Sequence, residues 1–310
     1  RLGASEAPPA IISMFLGEEL TGIVEALVAK AAYNQKAKDE VNVGVAVLPK
    51  FFKDTTDRNR TSPFAFTGNK FEFRAPGSSQ SCSGPNTILN TIVAEAFDKI
   101  SEVLEKLSAA DFNAGLQKLL QKTIKAHKRI IFNGNGYTDE WVVEAAKRGL
   151  PNAKTTMEAL RCLTVPANIA LLEKYGVYSK RELESRYEVF LEEYHRRIRI
   201  EGEITLEIAS SMIAPAVACE FGKAAEALAA AKEAGLTVGL AAVQKNAAAL
   251  GAGLDELYVK IDALKTALCG CHEEIVSAML DLRTTVDCLE KLVADESWPL
   301  PKYREMLFVY

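Results

Sequence analysis

Asn59-Arg60-Thr61-Ser62-Pro63-Phe64-Ala65-Phe66-Thr67-Gly68-Asn69-Lys70-Phe71-Glu72-Phe73-Arg74 is the stretch on which the reading of this 310-residue chain turns. Lys70, Glu72 and Arg74 alternate with Phe71 and Phe73. Side chains along a strand have a period of two, so the aromatics turn to one face and the three charges to the other. A ribbon of this kind lines a polar cavity from inside a curved sheet or barrel. The competing reading is a plain half-buried strand, whose wet face more often carries Ser or Thr.

Outward from this ribbon, the first part of the chain mixes elements. Ile12, Phe15, Leu16, Leu20, Ile23, Val24 and Leu27 recur at helical spacing after Pro8-Pro9, which predicts a helix over residues 10–32. The Val-rich run 41–48 stops at Pro49 and reads as a strand. Residues 53–60 are polar and turn-like, and the Ser- and Gly-rich run 77–86 leads into a helix from Thr87 to about Leu107. These look like the last strands and helices of an α/β domain.

From about Asp139 the pattern is helical throughout. Thr138 and Asp139 offer a cap, with Glu140 in the first turn, where the macrodipole favours a carboxylate. Thr155 with Glu158, and Ser179 with Glu182, have capping-box spacing. Leu183, Tyr187, Phe190, Tyr194 and Ile198, continuing to Ile208, keep one apolar stripe and predict a long amphipathic helix. From Leu250 to Leu292 apolar residues follow alternating steps of four and three, with only Thr285 breaking the seam. That spacing predicts a coiled-coil-like partner for the preceding helix. The Ala-rich interval 224–252 suits close helix approach, and the final Met306, Leu307, Phe308 and Tyr310 suggest a tail that docks.

The composition, 48% hydrophobic and 25% charged, is that of a globular protein, and a net charge of −4 gives no reason to expect nucleic acid. The apolar run 235–254 is interrupted by Gln244, Lys245 and Asn246, so no membrane span is expected there. The chain starts with Arg and enters a motif directly, without the layout of a signal peptide; the expectation is the back part of a longer, cytoplasmic protein. The six cysteines lack a secretory spacing and are expected to be reduced and buried.

Several signals have bland explanations. Cys269, Cys271 and His272 lie inside the seam and lack a fourth ligand for zinc. Gly134-Asn135-Gly136 before a capped helix is a tight turn rather than an anion cradle. His195-Arg196-Arg197-Ile198-Arg199 is flanked by Glu192, Glu193, Glu201 and Glu203, which marks a solvated face, and His127 reads as a surface residue.

The ribbon, together with Arg1-Leu2-Gly3-Ala4-Ser5-Glu6-Ala7-Pro8-Pro9, resembles the glutamine synthetases, and specifically their large type III class. Residues 125–137 and the closing Trp298-Pro299-Leu300-Pro301-Lys302-Tyr303 are similar to type III sequence too, so the resemblance spans the chain. It implies an ATP-dependent ligase that joins glutamate to ammonia through a γ-glutamyl phosphate. It implies roles as well: Glu72 as a ligand of Mg²⁺ or Mn²⁺, Arg74 and Arg1 as glutamate-binding groups, Arg60 as the cation on the transferred phosphoryl group and a nucleotide contact, Lys70 as a second nucleotide contact, and Glu6 as the catalytic carboxylate of a mobile flap. For Glu6 the alternative is a carboxylate favoured by the positive end of the following helix. Ala65 stands where the small bacterial enzymes place a further arginine.

The chemistry agrees with this residue set. Phosphoryl transfer depends on positioning and on neutralising charge, and glutamate and ATP together bring many negative charges. Arginine grips carboxylate or phosphate in a fork, lysine acts as a point charge, and a carboxylate is a hard oxygen ligand for a divalent ion. One carboxylate does not build such a site, and the resemblance implies that its partners lie upstream of Arg1.

The fold expected is α+β: the remainder of a glutamine synthetase-type catalytic α/β domain over residues 1–138, then an α-helical extension over 139–310 with long antiparallel helices. The resemblance also implies a large ring-shaped homo-oligomer, with the 310 residues inactive by themselves. The alternative is a non-catalytic helical assembly or regulatory module built on the same scaffold.

Overall fold

A computed structural model of the chain describes residues 11–33, 61–74 and 80–301, with the short strands Glu40–Val41 and Phe51–Phe52 and the helix Tyr303–Met306. Over these residues it is mostly helical with a small three-stranded sheet, an α+β arrangement. Contacts divide the chain into two compact units, Arg1–Glu188 and Val189–Tyr310.

In the first unit β1 (Met14–Phe15) is followed by α1 (Gly17–Ala29), and β2 (Glu40–Val41) pairs antiparallel with β3 (Phe51–Phe52). The sheet that matters is built from β1, β4 (Phe64–Phe66) and β5 (Phe71–Phe73), in the order β1-β4-β5. β1 runs parallel to β4, and β4 antiparallel to β5. The helix predicted over 10–32 is thus shorter, because Met14 and Phe15 pair with Phe64 and Ala65 instead of joining its first turn. Most of the predicted strand 41–48 lies outside the described residues.

Leu16, at the start of α1, has no capping side chain of its own. Asn133, 117 residues further on, supplies the cap: its Oδ1 accepts from the backbone N–H groups of Leu16 at 3.0 Å and Gly17 at 3.1 Å. Its Nδ2 donates to Thr21 Oγ1 at 2.9 Å. Asn133→Ala is expected to destabilise the first unit by about 1–2 kcal/mol, the upper part of the range for losing an N-cap. A shift of the urea midpoint with an unchanged slope would check it.

Next come α2 (Ser83–Leu104), α3 (Phe112–His127), α4 (Asp139–Lys147), α5 (Thr156–Leu160) and α6 (Pro166–Lys174). Thr138 caps α4 by accepting from the Trp141 N–H, and Thr155 with Glu158 forms the reciprocal capping box at α5. Trp141, Ala145, Leu150 and Ile11 make a small core in which Phe132 stacks on Trp141 with ring centroids 3.7 Å apart.

α2 and α6 are joined by a polar clamp. Lys174 Nζ lies 2.6 Å from Glu95 and 3.2 Å from Asp98, and the Tyr175 hydroxyl reaches Glu95 at 2.8 Å and Asp98 at 2.7 Å. Hydrogen bonds from Lys174, Lys99 and Tyr175 hold the Glu95 carboxyl down from 4.5 to about 2. Desolvation, with Asp98 and Glu95 accepting its proton, pushes the Tyr175 hydroxyl up to about 12. A carboxyl with a depressed folded pKa contributes its full stabilisation above its unfolded value and loses it as pH falls toward the folded one. The clamp should therefore hold above pH 4.5 and release between there and about pH 2. Hydrogen exchange in α6, corrected for its intrinsic pH dependence, is expected to lose protection across that window in the native chain and to change less in Lys174→Ala.

α7 (Lys180–Ile208) begins on Ser179, whose N–H and hydroxyl both donate to Glu182 at 2.8 Å. It continues through a π-turn (Ala209–Ile213) into α8 (Ala214–Glu233). Pro215 explains the π-turn, since proline has no N–H and clashes with the carbonyl four residues back. Within residues 180–233 one 18-residue window is long and apolar enough to cross a membrane by length and composition. In this structure Ala209, Ile213, Ala214 and Val217 of this helix are core residues of the second unit.

The seam predicted from Leu250 to Leu292 is not one helix. It is α9 (Leu240–Ala267) and α10 (His272–Leu289), separated by a turn at 268–271. Glu256 meets Thr285 at 3.2 Å and Lys260 meets Asp281 at 3.7 Å, so the two halves run antiparallel and pack on each other. Cys271 and Glu274 form a capping box that starts α10 afresh, which is why the apolar spacing survives a break in the helix. Leu250, Leu257, Ile261 and Leu264 of α9 share a core with Ile275, Leu282 and Leu289 of α10, and Trp298 closes it before α11 (Tyr303–Met306). Buried Thr285 is satisfied by donating to Glu256.

The cysteines depart from expectation: all six are free but exposed. Cys271 caps a helix rather than filling a seam, and Cys269 lies in the turn before it.

Candidate functional site

The ribbon folds as the β4–β5 hairpin. Gly68, at φ +95°, takes the positive φ that a tight hairpin turn asks of its first central residue. The Thr67 N–H donates to the Lys70 carbonyl at 2.8 Å and the Arg74 N–H to the Pro63 carbonyl at 2.7 Å, which pins the register. Phe64 faces Phe73, Ala65 faces Glu72, and Phe66 faces Phe71.

That register puts the aromatics on one face. Phe64 and Phe71 stack at 5.8 Å, and Phe66 and Phe71 lie 5.2 Å apart. The other face carries the charges as a linked row: Lys70 Nζ is 3.4 Å from Glu72 Oε1, and Arg74 Nη2 is 3.4 Å from Glu72 Oε2. Arg74 is the more sheltered cation, with 18% of its side chain exposed against 65% for Lys70 and 38% for Glu72. Across the ladder Glu72 meets only the methyl of Ala65, which is fully buried. The cations beside the carboxylate are therefore neighbours on its own chain segment.

The hairpin is held from behind. β1 pairs with β4, Met14 bridges to Ile131, and the Phe132 N–H donates to the Met14 carbonyl at 2.9 Å. The Gly136 N–H donates to the Thr61 carbonyl at 2.9 Å, one residue beyond Arg60. In the Gly134-Asn135-Gly136 turn, Asn135 Oδ1 accepts from the Tyr137 N–H at 2.9 Å, so the turn is closed by its own side chain. Segment 131–136 thus fastens the sheet, α1 and the Trp141 core together. Sequence reading missed Asn133 and Trp141 as positioning residues, since a side chain's long-range partner has no local signature.

Of the residues proposed for the site, the structure brings together Lys70, Glu72 and Arg74; Arg1, Glu6 and Arg60 lie outside the described residues. Glu72 is a hard oxygen donor, but two cations beside a single carboxylate suit a divalent ion only where further carboxylates join it. Among the described residues no group of three or more His, Cys, Asp or Glu side chains is arranged to hold a metal ion.

Residues 115–232 match the family described as the glutamine synthetase C-terminal domain. The chain is 37% identical to the type-3 glutamine synthetase of Dictyostelium discoideum over 332 residues, which take in 100% of this chain and 44% of that protein. A glutamine synthetase of Butyrivibrio fibrisolvens is 37% identical over 326 residues, covering 99% of this chain and 46% of its own length. One of Bacteroides fragilis (strain YCH46) is 34% identical over 333 residues, covering 99% and 45%. The chain thus spans less than half the length of these relatives. It is similar to glutamine synthetases along its whole length, and its residues 115–232 match the family of their C-terminal domain.

Proposed function

We propose that the chain works as part of an ATP-dependent glutamate–ammonia ligase that forms L-glutamine through a γ-glutamyl phosphate. The observation that carries this is the Lys70–Glu72–Arg74 row on one face of β5, in a chain related end to end to glutamine synthetases. In this reading Glu72 is one of several ligands for Mg²⁺ or Mn²⁺, which when bound supplies positive charge against the phosphates. Arg74 offers its fork to the glutamate carboxylates together with Arg1, and Lys70 and Arg60 hold the nucleotide. Arg60 neutralises the transferred phosphoryl group. Glu6, on a Gly-containing turn, closes over the acyl phosphate, excludes water and takes a proton from ammonium.

The outer face of α2 supports a larger assembly. Val93 and Phe97 are exposed, Phe97 at 66%, on the side of α2 turned away from Glu95 and Asp98, which bind α6, and Ile88, Ile92 and Val103 are exposed on its flank. So much exposed apolar surface on one helix belongs in contact with more protein. In this proposal the rest of the catalytic domain lies in polypeptide that these residues do not include, residues 1–138 contribute its C-terminal part, and residues 139–310 are a helical extension. The site is inactive in the 310 residues alone. The proposal places the complete enzyme in the cytoplasm, as a ring-shaped homo-oligomer whose long helices are available for subunit contacts.

The test is glutamine formation by the full-length protein carrying Glu72→Ala at saturating Mg²⁺ or Mn²⁺. A non-catalytic module on the same scaffold predicts no effect of that change.

A further inference from the structure

The second unit contains a histidine pair that the ligase chemistry does not use. His195 on α7 and His272 on α10 stack with ring centroids 4.4 Å apart and planes 30° from parallel. Tyr194 closes the other side, its ring edge-on to His272 at 5.4 Å. His195 is exposed, whereas the side chain of His272 keeps only 12% of its surface in water. Glu273 Oε1 is 2.9 Å from His272 Nε2 but out of line, so this buried nitrogen has no aligned hydrogen-bond partner.

Three features oppose a positive charge on His272. It is buried, it is the first residue of an 18-residue helix whose positive dipole end lies there, and a second imidazole sits on its face. Among the described residues Glu273 favours the charge. The other charged groups around the pair are engaged with one another: on α7 Arg196 with Glu192 and Arg199 with Glu203, in the turn Glu274 accepting from the Cys271 N–H at 3.3 Å, and on α9 Lys265 with Asp262 at 3.0 Å. The net result is a His272 pKa held below its ordinary 6.5, mainly by desolvation.

The pair sits where α7 meets the start of α10. Below it Gly202 lets Ile275 and Leu268 come close enough that an added methyl would lie 2.8 Å and 2.9 Å from them, and the Thr205 hydroxyl touches the Met279 sulfur at 3.6 Å. The upper end of this contact is aromatic, and two of its three rings can acquire charge.

We propose that His195 and His272 form an acid-released latch that holds the first turn of α10 against α7 at neutral pH. With both rings neutral they stack. Protonation of the pair would put two cations face to face, and opening the contact lets both rings be hydrated. Because His272 binds its proton more weakly in the closed state, stability is complete above pH 6.5 and falls as pH drops below it.

The test uses the full chain, whose three histidines give a readable imidazole spectrum. His272 is expected to titrate below 6.5, and amide exchange at 273–278, corrected for its intrinsic rate, is expected to accelerate by up to about tenfold per pH unit below 6.5. His272→Phe and His195→Phe, which keep a ring in place, should each remove that acid step. A His272 pKa at or above 6.5, or an acid step that persists in His272→Phe, overturns the proposal. If neither variant folds, the native titration decides alone.

Discussion

Glu72→Ala in the full-length protein should cut glutamine formation by about a hundredfold or more, with no measurable change in stability. Loss of an outer-shell group that only orients a metal ligand already costs about 10–100-fold, so removing a ligand sets that range as a floor. The folded state, by contrast, loses little. Glu72 is more than a third exposed, and its two ion pairs are 3.4 Å contacts of the kind worth about 0–1 kcal/mol at a surface. The assays are steady-state glutamine formation with Mg²⁺ or Mn²⁺ varied over a wide range, and a urea melt of the same preparation. Undiminished turnover at saturating metal would end the ligand assignment and leave the non-catalytic module as the better reading.

Trp141→Ala should show the opposite signature, a loss of stability with activity following it. The indole is 1% exposed, stacked on Phe132 at 3.7 Å and covered by the Arg148 guanidinium 5.2 Å from its ring centre. Emptying a buried tryptophan site costs about 3–5 kcal/mol, a large share of the stability of an ordinary domain. The damage should reach the hairpin. Phe132 bonds to Met14, Met14 and Phe15 pair with β4, and β4 carries β5. The denaturant midpoint should fall sharply, while activity recovers at low temperature or under stabilising osmolyte. Glu72→Ala should not be rescued in that way, which separates loss of chemistry from loss of support.

What the sequence revealed depended on the range of the interaction. Thr138, Thr155 with Glu158, and Ser179 with Glu182 were readable because a cap and its partner lie within one turn. The charged face of β5 was readable because a strand's period of two needs no knowledge of its neighbours. The break at 268–271 was not. Leu268, Cys271 and Ile275 keep steps of three and four straight through it, and a single Gly270 is a weak breaker. The Asn133 cap and the clamp between α2 and α6 join residues 117 and about 80 positions apart, where no local pattern betrays the partner. The roles proposed for all six site residues come from resemblance; for Lys70, Glu72 and Arg74 the structure adds that they share one face of β5.

The π-turn between α7 and α8 has a bearing on how this protein could vary. A helix advances about 100° per residue, so one surplus residue in a continuous rod re-aims everything beyond it by roughly a quarter-turn. Val217 and the other inward positions of α8 owe their aim to that offset. The proline in the first turn of α8 makes reverting to regular winding costly, so this phase shift is fixed by the sequence itself: deleting one residue within 209–213 would turn Val217 and its neighbours off the core they now fill.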